Sequence, residues 1–198
     1  MSLEPFNLQL FLAINASPMA HLSTIHLAIF IANDLLYLIP LFLLAYWATG
    51  DHIQKQIALK SVCVALLALG VAQIIGHVYP HPRPFMMGIG RTLIYHVPDP
   101  SFPSDHMTLF SSIAATFLLS RKYLIGWVIF IMAWTVAWAR IYIGVHFPFD
   151  MIGAFILSIS VALLMEPVWK KIGDQFTQLF IYLYEMTLGR LLKINKAN

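Results

Sequence analysis

Arg140, His146 and Asp150 are spaced so that a guanidinium, an imidazole and a carboxylate can meet at a turn between two apolar stretches. Pro148 suits the first position of a helix. That places Asp150 in the first helical turn, four residues beyond His146 and able to reach back to an imidazole N–H. A carboxylate that keeps one ring nitrogen protonated leaves the other free as a base or nucleophile. Gly144 lets the chain turn between Arg140 and His146. The plainer reading of these residues is an interfacial Arg–Asp pair with His146 as a bystander.

Two further clusters precede this one. In Pro103-Ser104-Asp105-His106, Ser104 is a natural helix N-cap followed by an acidic first turn. A helix starting here presents unpaired N–H groups and the positive end of its dipole, which is an anion site, with His106 beside it. Taken alone, Ser104 and Asp105 can equally be no more than a cap. In Pro82-Arg83-Pro84 an arginine is fixed between two prolines, which suits bidentate contact with phosphate oxygens. Headgroup binding at a membrane surface is the plainer alternative.

Together, two arginines, a helix N-terminus, an Asp-oriented histidine and a second histidine make a set for phosphoryl transfer without a metal. The arginines and N–H groups would stabilise the equatorial oxygens of the transition state. One histidine would attack phosphorus and the other would protonate the leaving oxygen. His77 and His81 stand at helical spacing, but no cysteine or acid nearby completes a zinc site, so neither a metal nor another cofactor is expected.

The elements that position these clusters are membrane spans. Of 198 residues, 60% are hydrophobic and 11% charged. Soluble domains carry roughly 25% charged residues. So much apolar surface cannot be hidden from water in one domain of this size. Cys63 is the lone cysteine, which excludes an internal disulfide. The chain is expected to be a single all-α domain over 1–198, a polytopic membrane helix bundle of five to six spans with an extracytoplasmic active site. Apolar runs of spanning length cover about 21–48 (broken at Asn33-Asp34), 56–78, 105–120, 123–145 and 148–169. Residues 5–15 are too short to span and suit the interface. Residues 175–194 read as a surface helix, or an additional one. Asp34 should face protein or water within the first span. Trp47, Tyr79, Trp127, Tyr142 and Trp169 fit an aromatic belt. No cleavable signal peptide is expected.

Orientation follows from charge. With five spans, Lys55, Lys60, Arg121, Lys122, Lys170, Lys171, Arg190, Lys193 and Lys196 fall on one side, nine of the twelve Lys and Arg residues. Arg83, Arg91 and Arg140 fall on the other. Positive loops stay cytoplasmic, so the three clusters face outward.

These residues resemble the type 2 phosphatidic acid phosphatase superfamily, with motifs K-x6-R-P, P-S-G-H and S-R-x5-H-x3-D. The third stands here as Ala139-Arg140, five residues, His146, three residues, Asp150; the second as Pro103-Ser104-Asp105-His106; the first keeps only Arg83-Pro84. The resemblance covers about residues 56–166. The short chain, the P-S-D-H variant and P-R-P-F are similar to the bacitracin-resistance type of bacterial undecaprenyl-diphosphate phosphatases. The resemblance implies a phosphohistidine mechanism in a bacterial cytoplasmic membrane, with the C-terminus cytoplasmic. His146 would be the nucleophile, Asp150 its orienter, His106 the general acid, and Arg83, Arg140 and Ser104 phosphate ligands. It implies a lipid phosphate or diphosphate as partner, within membrane lipid, and no nucleic acid. Undecaprenyl diphosphate is the expected substrate, in carrier-lipid recycling for cell-wall synthesis. Phosphatidylglycerol phosphate and phosphatidate, phosphotransfer to a second lipid, and an anionic-lipid transporter or binding protein are the alternatives.

Three positions depart from the motifs. Gly76 stands where the motif has lysine, with His77 next to it as a partial substitute for phosphate binding. Asp105 replaces glycine and is expected either to turn away and pair with Arg91 or to be partly protonated. Ala139 removes the motif serine.

Overall fold

The computed structural model describes residues 3–189 and is all-helical over them. Helix α1 spans Glu4–Ile14, α2 Leu22–Asn33, α3 Leu38–Thr49, α4 His52–Val78, α5 Asp105–Leu119, α6 Tyr123–Tyr142 and α7 Pro148–Tyr184. A 3₁₀ turn at Leu35–Tyr37 joins α2 to α3, another covers Pro84–Met87, and a π-turn at Glu185–Gly189 follows α7. Among the described residues, four stretches are long and apolar enough to cross a membrane: Leu22–Thr49, His52–Val78, Tyr123–Tyr142 and Pro148–Thr187.

Helix α5 is the shortest of the bundle's central rods. Its 15 residues reach only about 22 Å at 1.5 Å per residue. It is also the most enclosed: Met107, Phe110, Ile113 and Phe117 are fully buried, and it packs against α4, α6 and α7. Small polar residues let those neighbours approach closely; the Ser158 hydroxyl on α7 donates to the Thr108 carbonyl at 3.0 Å. The outer helices show the opposite pattern. Leu66, Leu124, Ile131 and Leu164 are exposed, which is stable only against hydrocarbon.

All the loops of chemical interest gather at one end. There α4 ends, α5 and α7 begin, α6 ends, and α1 docks. Asn7, buried on α1, accepts from the Phe149 N–H at 3.1 Å and so caps the start of α7. Asn15 accepts from the Arg91 N–H at 2.7 Å and donates to the Arg91 carbonyl at 2.9 Å and the Tyr142 carbonyl at 3.1 Å. Between α6 and α7, Gly144 takes φ +85°, where a Cβ would lie 2.2 Å from the Arg91 carbonyl oxygen. The turn that sets Arg140 against His146 therefore demands glycine.

Several expectations are corrected. Helix α4 starts at His52 rather than near Gln56, because Asp51 and Gln54 form a reciprocal capping box. Lys55 consequently lies in the first turns of α4, and Lys60, buried and ion-paired with Glu166 of α7, is not a loop charge. Helix α7 does not stop near Trp169 before a separate surface helix; it runs unbroken to Tyr184, past Pro167. The Lys60–Glu166 pair and the 2.7 Å contact of His52 with Asp174 hold it along α4. Residues 190–194 of the expected surface helix, and the charges Arg190, Lys193 and Lys196, lie outside the described residues. Asp34 is exposed and makes no side-chain hydrogen bond among the described residues, which nothing in the structure explains. Trp169 is buried over Gly173 rather than standing in a belt.

Candidate active site

The start of α7 builds the first half of the site. Asp150 is buried, and its Oδ2 accepts from the Phe147 N–H at 2.7 Å, from the Ser101 hydroxyl at 2.5 Å and from His146 Nδ1 at 3.2 Å. A carboxylate with those donors has one orientation, so His146 carries its proton on Nδ1. His146 Nε2 is then a lone pair, and it accepts from Arg83 Nη1 at 2.9 Å. His146 is 1% exposed. Burial, followed by the nearby charges of Arg83 and Arg140, holds this imidazole well below its ordinary range. The Nε2 side of the ring faces Arg83.

The two arginines differ. Arg83 is buried and nearly saturated. Its Nε donates to the Asp99 carboxylate at 2.9 Å, Nη1 to the Val145 carbonyl at 3.0 Å as well as to His146, and Nη2 to the Pro100 carbonyl at 3.3 Å. Arg140, 3% exposed, has one partner: Nη2 donates to His96 Nε2 at 3.0 Å. Its Nε is buried with no partner, and Nη1 makes no hydrogen bond among the described residues. A buried guanidinium with unpartnered donors is costly.

The start of α5 builds the other half. Ser104 is fully buried and caps α5, accepting from the Met107 N–H at 3.5 Å, while its own N–H donates to the Asp150 carbonyl at 3.3 Å. His106, in the first turn, is half-buried, makes no side-chain hydrogen bond among the described residues, and feels the charges of Arg140 and Arg83.

The structure brings Arg83, Arg140, His106, His146 and Asp150 together. His77 is not among them: it lies on an exposed face of α4, since α4 stays helical to Val78 and turns that side outward. Gly76, at the position of the motif lysine, packs against Pro100 and the Phe102 carbonyl; a Cβ there would be 3.4 Å from that oxygen. Asp105 does not pair with Arg91. It accepts from Gln73 Nε2 at 2.8 Å, while Arg91 Nη1 donates to the Ser17 carbonyl at 3.0 Å.

Three residues were missed by sequence reasoning: His96, which reads simply as interfacial, Asp99 and Ser101. All sit on the loop between Tyr79 and Ser104. The signal was its composition, since Pro98 and Pro100 stiffen a polar stretch lying directly between two motifs. His96 donates Nδ1–H to the Val97 carbonyl at 2.9 Å, and its Nδ1 is 3.5 Å from the Asp99 carboxylate. Burial, with Arg83 and Arg140 against it, lowers its pKa.

Residues 58–173 match the PAP2 superfamily. The chain is 38% identical over 176 residues to "Putative undecaprenyl-diphosphatase YbjG" of Escherichia coli strain K12, covering 89% of each chain. It is 31% identical to undecaprenyl-diphosphatase BcrC of Bacillus subtilis strain 168, covering 83% of this chain and 84% of that one. In three dimensions it is similar to the crystal structure of Aquifex aeolicus LpxE, with TM-score 0.63 and 23% identity over 80% of this chain and 93% of that one.

Proposed function

Since the chain belongs to the PAP2 superfamily and is a membrane lipid phosphatase, we propose that it hydrolyses undecaprenyl diphosphate to undecaprenyl phosphate through a phosphohistidine at His146. The observation that carries the reading is the line Asp150–His146–Arg83 beside an arginine whose buried Nε has no partner. The names of the two bacterial relatives support the substrate.

The terminal phosphate takes the open donors of Arg140 and the N-terminus of α5. His146 Nε2 leaves Arg83 Nη1 and attacks phosphorus while the bond to the lipid-phosphate oxygen breaks. His106 supplies that oxygen with a proton. Water then attacks the phosphohistidine, gives its proton to His106, and releases inorganic phosphate and neutral His146. Arg83 keeps its grip on Asp99, Val145 and Pro100 throughout, so its part is to hold the site together and steady His146. Hydrolysis of this kind returns the carrier lipid to cell-wall synthesis and accounts for a bacitracin-resistance role.

The substrate is tested by phosphate release from purified protein in detergent, given undecaprenyl diphosphate, phosphatidylglycerol phosphate and phosphatidate in turn. The diphosphate is expected to give the highest kcat/KM; a faster phosphatidate would overturn the assignment. Recovery of the phosphate on a second lipid rather than in water would make the enzyme a phosphotransferase.

Metal independence belongs to the same reading, because arginines supply the positive charge and no group of three or more His, Cys, Asp or Glu among the described residues is placed to hold an ion. Activity is expected to survive exhaustive EDTA treatment. Complete loss, restored by magnesium or zinc, would contradict this.

The site is assigned to the outer face of a bacterial cytoplasmic membrane, with the C-terminus inside. Lys60 no longer counts toward the charge asymmetry, but Lys55, Arg121, Lys122, Lys170 and Lys171 remain at the end opposite the site. In a Cys63→Ser background, a cysteine at position 91 is expected to react with an impermeant reagent on intact cells and one at position 122 to be protected. The reverse pattern would invert the topology.

A further inference from the structure

We propose that His96 is a substrate-binding residue that takes the second phosphate of a diphosphate and so makes the enzyme prefer diphosphates to monophosphates; this rests on the function proposed above. Four observations lead to it. His96 belongs to none of the three motifs, yet its Nε2 is 3.0 Å from Arg140 Nη2. That nitrogen has no other partner among the described residues, so a phosphate that also draws Arg140 Nη2 to itself leaves it free. The ring is held from behind, by Nδ1 on the Val97 carbonyl and by Phe85 at 6.2 Å between ring centroids. Nε2 therefore stays where Arg140 leaves it.

The fourth observation is the gradient of exposure. His146 is 1% exposed and Arg140 3%, whereas the side chain of His96 is 20% exposed and that of Asp99 46%. Phosphorus bonded to His146 lies at the closed end of this gradient. The inner phosphate of a diphosphate, one bridging oxygen away, then extends toward the open end, where His96 stands. A monophosphate carries no charged group to that point.

The charges around the ring fit the role. Burial opposes protonation, as do Arg83 from the preceding loop and Arg140 from α6, while the Val97 carbonyl and Asp99 favour it, and His106 of α5 lies close enough to feel the ring. With Arg140 facing the terminal phosphate, the inner phosphate's negative charge draws one proton from solvent onto Nε2. The resulting N–H donates to a phosphate oxygen, and the proton is returned when the product leaves.

The experiment compares farnesyl diphosphate with farnesyl phosphate, which share one tail, on the full chain in detergent. His96→Gln and His96→Asn are measured beside the wild type. The expected result is a fall of roughly ten- to a hundredfold in kcat/KM for the diphosphate, the range of one charge-assisted hydrogen bond. The monophosphate should change by no more than about twofold. A residue that merely positions Arg140 would slow both substrates alike, so an unchanged ratio between them overturns the assignment and leaves the phosphatase reading intact. A wild type inactive on the diphosphate overturns both.

Discussion

Replacing His146 with alanine is expected to lower turnover by about 10⁴-fold or more, since it removes the atom that bonds phosphorus. Enzyme quenched during turnover should carry phosphate in an acid-labile, base-stable adduct, and His146→Ala should carry none. His106→Ala should retain the adduct but form it slowly, by a factor of about 10²–10⁴, the usual worth of general acid–base catalysis. A lipid with a better leaving group should restore adduct formation in that variant and leave its hydrolysis slow. Adduct in His146→Ala but not in His106→Ala would reverse the two roles. The state of the ring adds a pH signature. His146 must be neutral to attack, and burial with two arginines depresses its pKa. Its protonation should therefore limit kcat/KM only well below the ordinary imidazole value of about 6.5.

Arg140→Ala should separate activity from stability. The guanidinium is buried with an unpartnered Nε, so in the free enzyme it is an uncompensated cost. Removing it is expected to leave the thermal midpoint in detergent unchanged or raised, while kcat/KM falls by about 10³–10⁵, the range known for arginines at transferring phosphoryl groups. Arg140→Lys should recover only part of this, because an ammonium lacks the planar fork. Arg83→Ala provides the contrast. Arg83 ties Asp99, Val145, Pro100 and His146 together, so its loss should lower stability and activity at once. If Arg140→Ala melts as early as Arg83→Ala, Arg140 is a structural residue.

The parts of the site legible in the sequence are those set by local geometry. Asp150 reaches His146 because a helix begins at Pro148, and Ser104 caps α5 because a hydroxyl stands just before an apolar run. Both follow from spacing along the chain. His96, Asp99 and Ser101 were not legible, because their places depend on how the 79–104 loop folds back. That depends in turn on Pro100 and Phe102 settling against Gly76, a contact between segments with no common period. The same distinction explains the misplaced ones. His77 is adjacent in sequence to the motif position, but one residue along a helix is about 100° around it, enough to carry the ring out of the site. Asp105 was matched with Arg91 on charge alone, whereas the partner that reaches it, Gln73, is neutral and comes from a neighbouring helix. The spans were legible by composition, but the true end of α7 was not, since the contact of Asp174 with His52 of α4 lies past the point where hydropathy falls.

The primary amide of Asn15 holds both backbone groups of Arg91 and the carbonyls of Ile141 and Tyr142. One small side chain thus sets the spacing between the N-terminal helix, the loop that brings His96 and Asp99 to the arginines, and the end of the helix that carries Arg140. Loop and N-terminal helix are in that sense one interchangeable part. A chimera that imports only residues 79–104 from a relative inherits a loop cut to fit another enzyme's first helix. Grafting that relative's residues 3–16 along with it is the exchange that keeps the loop in register, and engineering of substrate preference in this chain has to treat the two segments as a single module.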